Sequence, residues 1–581
     1  MKILLAALNA KYIHSNLAVY NLKAYAKPFE ESIKIIEYTI NHYVHDMLQG
    51  LYKEKADIIV FSCYIWNIEL VENLVELLHK VSPQTKIWLG GPEVSYDVRA
   101  VMERRPELTG IMYGEGEETF YQLMTHYHQG KEALPLSDID GIIYKDALGK
   151  IMINPGRPLI NMDSIPFVYQ NLDDFKHKII YYESSRGCPF SCSYCLSSIN
   201  KSVRFRSIGL VKQELKFFID NEVNQVKFVD RTFNCNHSHA ASIWQFIKDY
   251  DKGKTNFHFE VAADLFNEDE LNLLESLRPG LVQLEIGIQS TNQKTLDEIK
   301  RQTDLDKLAG NVTRIHQQRN IHQHLDLIAG LPYEDLGRFK ESFNWVYLLR
   351  PDQLQLGFLK VLKGSLMHRK QLDYELCSWP KPVYEVLSTK WINYDQLLML
   401  KSTCSMVEIY YNTGQFKNAM TYLNYFYRAP FDLYQALAAF YEEKGYDNLN
   451  HSRINRYTIL LEFSNESGLN EGHILEEILL YDLYLREKLK SRPAWAKDRV
   501  EFKQAIAAYY RNLESMDGNV TTKQIRHLTH IEPFTIDVRH TVSTGKAYRQ
   551  INFVLFDYRE RDSLYNEGRV VLLKGDENGI K

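Results

Sequence analysis

Three cysteines sit in one short run, Arg186-Gly187-Cys188-Pro189-Phe190-Ser191-Cys192-Ser193-Tyr194-Cys195, at the spacing C-x3-C-x2-C. Three thiolates on one loop can hold three corners of a [4Fe–4S] cube, which leaves the fourth iron open to a chelating ligand. The other holders of such a trio are a structural zinc or plain thiols. A zinc site wants a fourth Cys or His at matching spacing, and none follows closely. The chain must therefore fold so that one short loop presents three thiols together, and every other segment can be placed relative to that loop.

The 581 residues suggest roughly three to four domains, and 45% apolar with 25% charged residues is ordinary for a globular chain. A net charge of −5 sets up no global basic field for nucleic acid. Besides the trio, Cys63, Cys235, Cys377 and Cys404 are scattered, so no disulfide framework is expected and a reducing cytoplasm fits. No run approaches the roughly 18–20 apolar residues of a membrane span. The N-terminal Ile3–Leu8 stretch is too short for a secretory leader. A soluble cytoplasmic protein with no membrane contact is the expectation.

Residues 1–130 alternate strand and helix: Lys2–Leu8, Ser32–Ile40, Ala56–Ser62, Lys86–Gly90 and Gly110–Tyr113 read as strands, with helices over Leu17–Tyr25, Val44–Glu54 and Ile68–Val81 between them. Such alternation predicts a Rossmann-like, doubly wound parallel sheet, whose ligands bind beyond the carboxyl ends of its strands. The segments there are Asn9–Asn16, Cys63–Asn67, Gly90–Ser95 and Gly114–Glu118. Gly90 and Gly91, and Gly114-Glu115-Gly116, let backbone approach a bulky ligand, although neither turn is a dinucleotide fingerprint. Residues 131–177 read as a connector with a hairpin (Ile139–Tyr144 with Ile151–Asn154) and an extended crossing over Arg157–Phe167. In residues 178–384, six strands, Ile179–Ser184, Gln225–Asp230, Phe257–Asp264, Leu281–Gln289, His322–Gly330 and Gln353–Val361, alternate with helical patterns such as Leu210–Asn221 and Glu268–Leu277. Residues 385–581 read as mostly helical, over Leu387–Tyr411, Phe416–Phe426, Phe431–Glu443 and Tyr457–Phe463, with one strand at Gln550–Tyr558.

The cysteine run at the end of the strand Ile179–Ser184 resembles the radical S-adenosylmethionine (SAM) superfamily. The sheet and glycine turns in front of it resemble the cobalamin (B12)-binding domain of that superfamily's cobalamin-dependent members, and residues 385–581 resemble an uncharacterised extension found on some of them. The resemblance implies an α/β chain with a partial (β/α)6 barrel, a [4Fe–4S] cluster on Cys188, Cys192 and Cys195, SAM on the open iron, and a reductant such as flavodoxin or ferredoxin as partner. It implies reductive cleavage of SAM to a 5′-deoxyadenosyl radical and methylation of an unactivated carbon. Radical rearrangement or oxidation without methyl transfer, or a redox-sensing binding protein, are the rival readings.

In Phe257-His258-Phe259-Glu260-Val261 a carboxylate amid alternating apolar residues should point into the barrel mouth. Together with the same resemblance, this places the SAM contacts on Tyr194, Asp230, Glu260, Glu285, Gln289, Ser290, Arg301 and Gly330. Tyr194 could instead pack the loop, Asp230 could cap a helix, and Arg301 could be a solvated helix end beside Lys300. The cobalamin contacts fall on Tyr64, Trp66, Gly90, Gly91, Gly114, Glu115 and Gly116, with ordinary loop packing as the other role for Tyr64 and Trp66. The D-x-H-x-x-G motif that ligates cobalt is absent, so His14 reads as a loop histidine. Cys63 is alone among N-terminal residues, which speaks against a second cluster, and Cys235 reads as a structural thiol. Nothing in residues 385–581 matches a nucleic-acid module, and that segment reads either as a cover for the barrel's open side or as a packing or dimerisation domain.

Overall fold

The structure is a computed structural model that describes residues 1–130, 132–199, 201–517 and 522–573. Residues 131, 200, 518–521 and 574–581, which fall within the connector, barrel and C-terminal segments expected above, lie outside the described residues.

The first domain is a seven-stranded sheet of β1 (Ile3–Asn9), β2 (Ile33–Thr39), β3 (Ile58–Ser62), β4 (Lys86–Gly90), β5 (Gly110–Met112), β6 (Ile142–Lys145) and β7 (Ile151–Ile153), in the order β2-β1-β3-β4-β5-β6-β7. The first five strands run parallel, and β6 and β7 add antiparallel. The connector hairpin is therefore an edge extension of this sheet. β1 and β3 are buried along their whole length because helices cover both faces. Leu4, Ala6 and Leu8 enter the core on one side, and Ile3, Leu5 and Ala7 that on the other.

The connector then crosses to the second domain under control of a buried ion pair. The Arg206 guanidinium donates to Met162 O (2.6 Å) and Ile165 O (2.9 Å) and pairs with Glu214 (Nε–Oε2 2.9 Å), which also accepts from the Tyr182 hydroxyl (2.6 Å). β8 (Ile180–Tyr182) leads into β9 (Ser185–Arg186), which pairs with β10 (Arg204–Phe205). The cysteine loop is the excursion between these last two strands. β11 (Gln225–Phe228), β12 (Asn256–Val261), β13 (Val282–Gln289), β14 (His322–Ala329) and β15 (Gln353–Phe358) follow, giving a six-stranded parallel sheet in the order β15-β14-β13-β12-β11-β8. Apolar residues of β13 (Leu284, Ile286, Ile288) are buried toward the helices, while Glu285, Gly287 and Gln289 alternate onto the open face.

This partial barrel does not close on itself, and other segments cover its two edges. Beyond β8, Ile179 N donates to Ile13 O (2.8 Å) and His14 bridges Ile179 in parallel, so the loop after β1 extends the sheet. Beyond β15, the hairpin of β16 (Cys377–Ser378) and β17 (Val386–Ser388) binds through Val361 N→Tyr384 O (2.9 Å) and Val386 N→Leu359 O (2.8 Å). Sequence periodicity had carried a helix back to Leu387. The helix instead starts at Tyr394, where Asn393 and Gln396 form a reciprocal capping box. The helical region that follows shares one continuous core with the barrel: Phe343 packs edge-on to Phe431 at 5.2 Å, and Tyr347, Tyr411 and Tyr434 join it. β18 (Thr529–Ile536), β19 (Arg549–Arg561) and β20 (Gly568–Leu573) form an antiparallel sheet where sequence alone indicated a single strand. No helix among the described residues is long and apolar enough to cross a membrane.

Replacing Arg206 with Met leaves the Glu214 carboxylate buried without its cation and frees two connector carbonyls. The expected cost is about 3–5 kcal/mol, read as a fall in thermal midpoint, and the double variant R206M/E214L should recover part of it.

Candidate functional site

The site starts at the cysteine loop, which is held at both ends. Ser193 N donates to Ile299 O (2.9 Å), and Met367 N donates to Ser193 O (2.8 Å). Gly187 adopts φ +107°, and a Cβ there would lie 2.2 Å from Ser202 O, so only glycine lets the returning chain close on the loop. Cys188, Cys192 and Cys195 are free thiols. Among the described residues, one trio of His, Cys, Asp or Glu gathers its ligand atoms within 4.8 Å of one another, namely Glu285, His324 and Asp326. The three thiols are spread wider than that. One zinc ion with Zn–S bonds of about 2.3 Å would pull them to about 3.8 Å apart, whereas ligands on separate irons of a cube need the wider spread.

Arg301 lies against this loop and is no solvated helix end. Its Nη1 stands 3.9 Å from Cys192 Sγ and its Nη2 donates to Gly287 O. Gln289 ends β13 at φ +72°, next to the register shift between Gly287 and Gln289. The buried atoms Ser193 Oγ, Gln289 Oε1 and Arg301 Nε find no hydrogen-bond partner here. Buried polar atoms are nearly always paired, so this set around the thiols fits a polar, chelating ligand such as SAM. Tyr194 packs partly buried against the barrel core, beside Arg301 and Cys192.

The barrel's open face carries most of the charge. Lys227 Nζ (3.0 Å) and His258 Nε2 (3.1 Å) both meet Glu285 Oε2. Burial opposes ionisation of Glu285, yet His258 and Lys227 outweigh it and hold the carboxyl at about 2. Glu260 has no such partner, since Arg231 stands 3.8 Å off. Burial therefore pushes Glu260 up to about 7, Arg231 opposing and Glu285 assisting. His324 and Asp326 (3.0 Å apart) complete this wall. Lys227, His258, His324 and Asp326 escaped the sequence reading, although their alternation within apolar strands is the same signal that singled out Glu260.

Three expected contacts lie elsewhere. Asp230 is fully buried, its carboxylate accepting from Ser184 N (3.0 Å), Ser184 Oγ (2.6 Å) and Ser185 Oγ (2.6 Å). It ties β11 to the start of the cysteine loop and is not available to a SAM amine. Ser290 is also fully buried and donates to Glu334 (2.6 Å). Glu115, expected at cobalamin, pairs with Arg204 and Arg186 and accepts from Ile160 N (2.8 Å), so it bolts the first domain to the barrel.

The remaining first-domain residues line a crevice. The strand order reverses between β1 and β3, and ligands of such sheets sit outside that switch point. There Trp66 Nε1 (3.1 Å) and Asn67 Nδ2 (3.0 Å) donate to Leu8 O, and Asn16 Nδ2 donates to Ser62 Oγ (3.0 Å). Tyr64 stacks on the exposed Trp66 ring, with centroids 4.4 Å apart and planes 7° apart. Burial pushes the Tyr64 phenol up to about 12, and the charges of Glu183 and Arg231 at the barrel mouth reach it. Gly90 and Gly91 lead from β4 onto the backbone of Cys63. Gly116 starts the helix Glu117–Gln129, and a side chain at Gly114 would meet nothing within 4 Å. A flat aromatic platform beside the glycine turns fits a large planar cofactor. His14 is held against β8, its Nδ1 2.6 Å from the Tyr181 hydroxyl.

Comparison with known families agrees with this layout. Residues 3–124 match the B12 binding domain, residues 182–346 the radical SAM superfamily, and residues 372–556 a protein family of unknown function, DUF4080. The chain thus carries a B12 binding domain followed by a radical SAM domain. It is 27% identical to an uncharacterized methyltransferase of Pyrococcus horikoshii over 47% of this chain and 63% of the relative. It is 23% identical to the cobalamin-dependent radical SAM methyltransferase TokK of Streptomyces tokunonensis over 59% of this chain and 52% of the relative. The chain thus spans between half and two thirds of these relatives' length. Among solved structures, the cobalamin-dependent SAM radical enzyme OxsB, with aqua-cobalamin and SAM bound, superposes over 90% of this chain and 81% of its own at a TM-score of 0.57 and 16% identity.

The Glu260 value gives a test of the charged wall. The folded-state carboxyl lies above its unfolded value, so folding binds a proton between roughly pH 4.5 and 7, and ionised Glu260 costs stability above that window. In the ligand-free protein, Glu260→Gln should raise the thermal midpoint at pH 8. The gain should shrink as pH falls through 7 and vanish near pH 4.5.

Proposed function

We propose that the protein is a cobalamin-dependent radical SAM methyltransferase acting on an unactivated carbon. The observation that carries this is the pairing of two half-sites: three thiols on a loop beside unpartnered polar atoms, and an aromatic platform at the β1/β3 switch point of a domain whose Glu115 and Glu117 grip Arg186 at the start of that loop. With a cluster on Cys188, Cys192 and Cys195, SAM on its open iron and cobalamin in the crevice, these cofactors would supply one-electron cleavage of SAM, hydrogen abstraction and methyl delivery. Arg301 suits a carboxylate, since its fork pairs with one bidentately, and Gln289 and Ser193 offer further polar contacts. Glu260, Glu285 and Asp326 would orient the rest of the ligand by hydrogen bonds. The Glu115–Arg204 pair would hold the two domains together over the site, where keeping water out protects reactive species from being quenched. Tyr64, Trp66, Gly90, Gly91, Gly114 and Gly116 would hold the corrin. A flavodoxin- or ferredoxin-type reductant and a cytoplasmic setting complete the reading. The methylase and TokK relatives support methyl transfer, and the substrate belongs to a class the lumen's mixed charge can hydrogen-bond.

Cys192→Ala should lose cluster iron and SAM cleavage together, by iron assay and 5′-deoxyadenosine yield. The methyl-transfer reading is tested by incubating reconstituted, reduced protein with hydroxocobalamin and SAM carrying a trideuterated methyl group. Mass spectrometry should find the label on the recovered corrin. Abundant 5′-deoxyadenosine with an unlabelled corrin would instead favour radical chemistry without methylation.

A further inference from the structure

The hairpin carrying β16 and β17 belongs to the segment that matches the family of unknown function, and it touches the loops of both half-sites. On the barrel side it packs over the turn after β14. Gly330 sits at φ +88°, and a Cβ there would lie 2.7 Å from Val386 Cγ1, so the turn and β17 are fitted to each other. β17 also continues the hydrogen bonding of residues 359–361. On the crevice side the Tyr384 hydroxyl donates to Glu93 Oε1, across 291 positions of sequence. Glu93 lies in the Gly90–Ser95 loop, and its side chain is 8% exposed. Lys363 reinforces the contact from the barrel, 3.6 Å from Glu93 and 4.9 Å over the Tyr384 ring. Gly364 faces the ring of Tyr96, on the same first-domain loop. A hydrogen bond to a carboxylate is stronger and more directional than one between neutral groups, and this one is shielded from water. The hairpin's other tie to the first domain, Lys381 to Glu69 at 3.2 Å, is exposed on both sides and is worth little.

We propose that this hairpin is a clamp that couples the two cofactor loops, with Tyr384 and Glu93 as its latch and the Gly330–Val386 contact as its barrel-side anchor. It gives the segment of unknown function a role: a ligand that settles the Gly330 turn also settles the Gly90–Ser95 loop. The proposal rests on the reading that SAM and cobalamin occupy those two loops. Because coupling is reciprocal, SAM should strengthen cobalamin binding, and Tyr384 and Glu93 act as positioning residues that contact neither reacting centre.

The test uses the full-length, cluster-reconstituted protein, kept oxidised so that SAM stays intact, titrated with hydroxocobalamin by calorimetry with and without saturating SAM. The wild type should bind hydroxocobalamin about fivefold or more tightly with SAM present. Tyr384→Phe and Glu93→Gln should each reduce that factor to below about twofold while keeping the cluster absorbance. Lys381→Ala should retain the wild-type factor. Equal affinity with and without SAM in the wild type overturns the clamp and leaves the cofactor reading intact, as does full coupling in Tyr384→Phe. Failure to bind hydroxocobalamin at all overturns both.

Discussion

A six-stranded parallel sheet rolled into a partial barrel leaves two edges whose backbone N–H and C=O groups must find partners. Unpaired edges are costly when buried and invite aggregation when exposed. This chain resolves the problem with segments from outside the barrel. The loop after β1 supplies Ile13 and His14 to the β8 side, and the β16–β17 hairpin supplies Tyr384 and Val386 to the β15 side. One segment precedes the barrel in sequence and the other follows it, so satisfying the edges also ties the first domain and the C-terminal region to the barrel.

Electrostatics inside that enclosure follow from pairing more than from burial. Glu260 and Glu285 occupy matching positions on adjacent strands, directly opposite in register. Glu285 has Lys227 and His258 within hydrogen-bond distance and stays ionised; Glu260 has only a distant Arg231 and rises toward neutrality. Asp230 shows the third outcome, a carboxylate fully buried by three donors and raised to about 6 by that burial, the serine hydrogen bonds notwithstanding. The same functional group thus serves as an ion-pair partner, a titratable wall and a structural tie, and the surroundings alone distinguish them.

The domain interface is built from charges on both sides of the crevice. Glu115, Glu117 and Glu183 converge on Arg186, which immediately precedes the cysteine loop, and Lys178 pairs with Glu37. The residue that begins the thiol-bearing run is therefore anchored to the first domain. Movement of that domain would be felt at the thiols, which is a physical reason for the two half-sites to sit on one continuous chain.

The sequence by itself determined the local features: the three-thiol turn, the alternation of parallel strands and helices, and the inward position of Glu260, because each rests on short-range spacing. Tertiary structure decided the rest. Asp230 and Ser290 carry the same polar signature as Glu260, yet they turn toward Ser184 and Glu334, partners 46 and 44 positions away. Glu115 looked like a ligand-facing loop residue until Arg204, 89 positions on, claimed it. Leu387 and Ser388, the last residues of the hairpin, read as the start of a helix because no local pattern announces the barrel edge that the hairpin pairs with. Periodicity tells which face a side chain occupies; which group waits on that face depends on how distant strands meet, and that is set by packing and edge pairing.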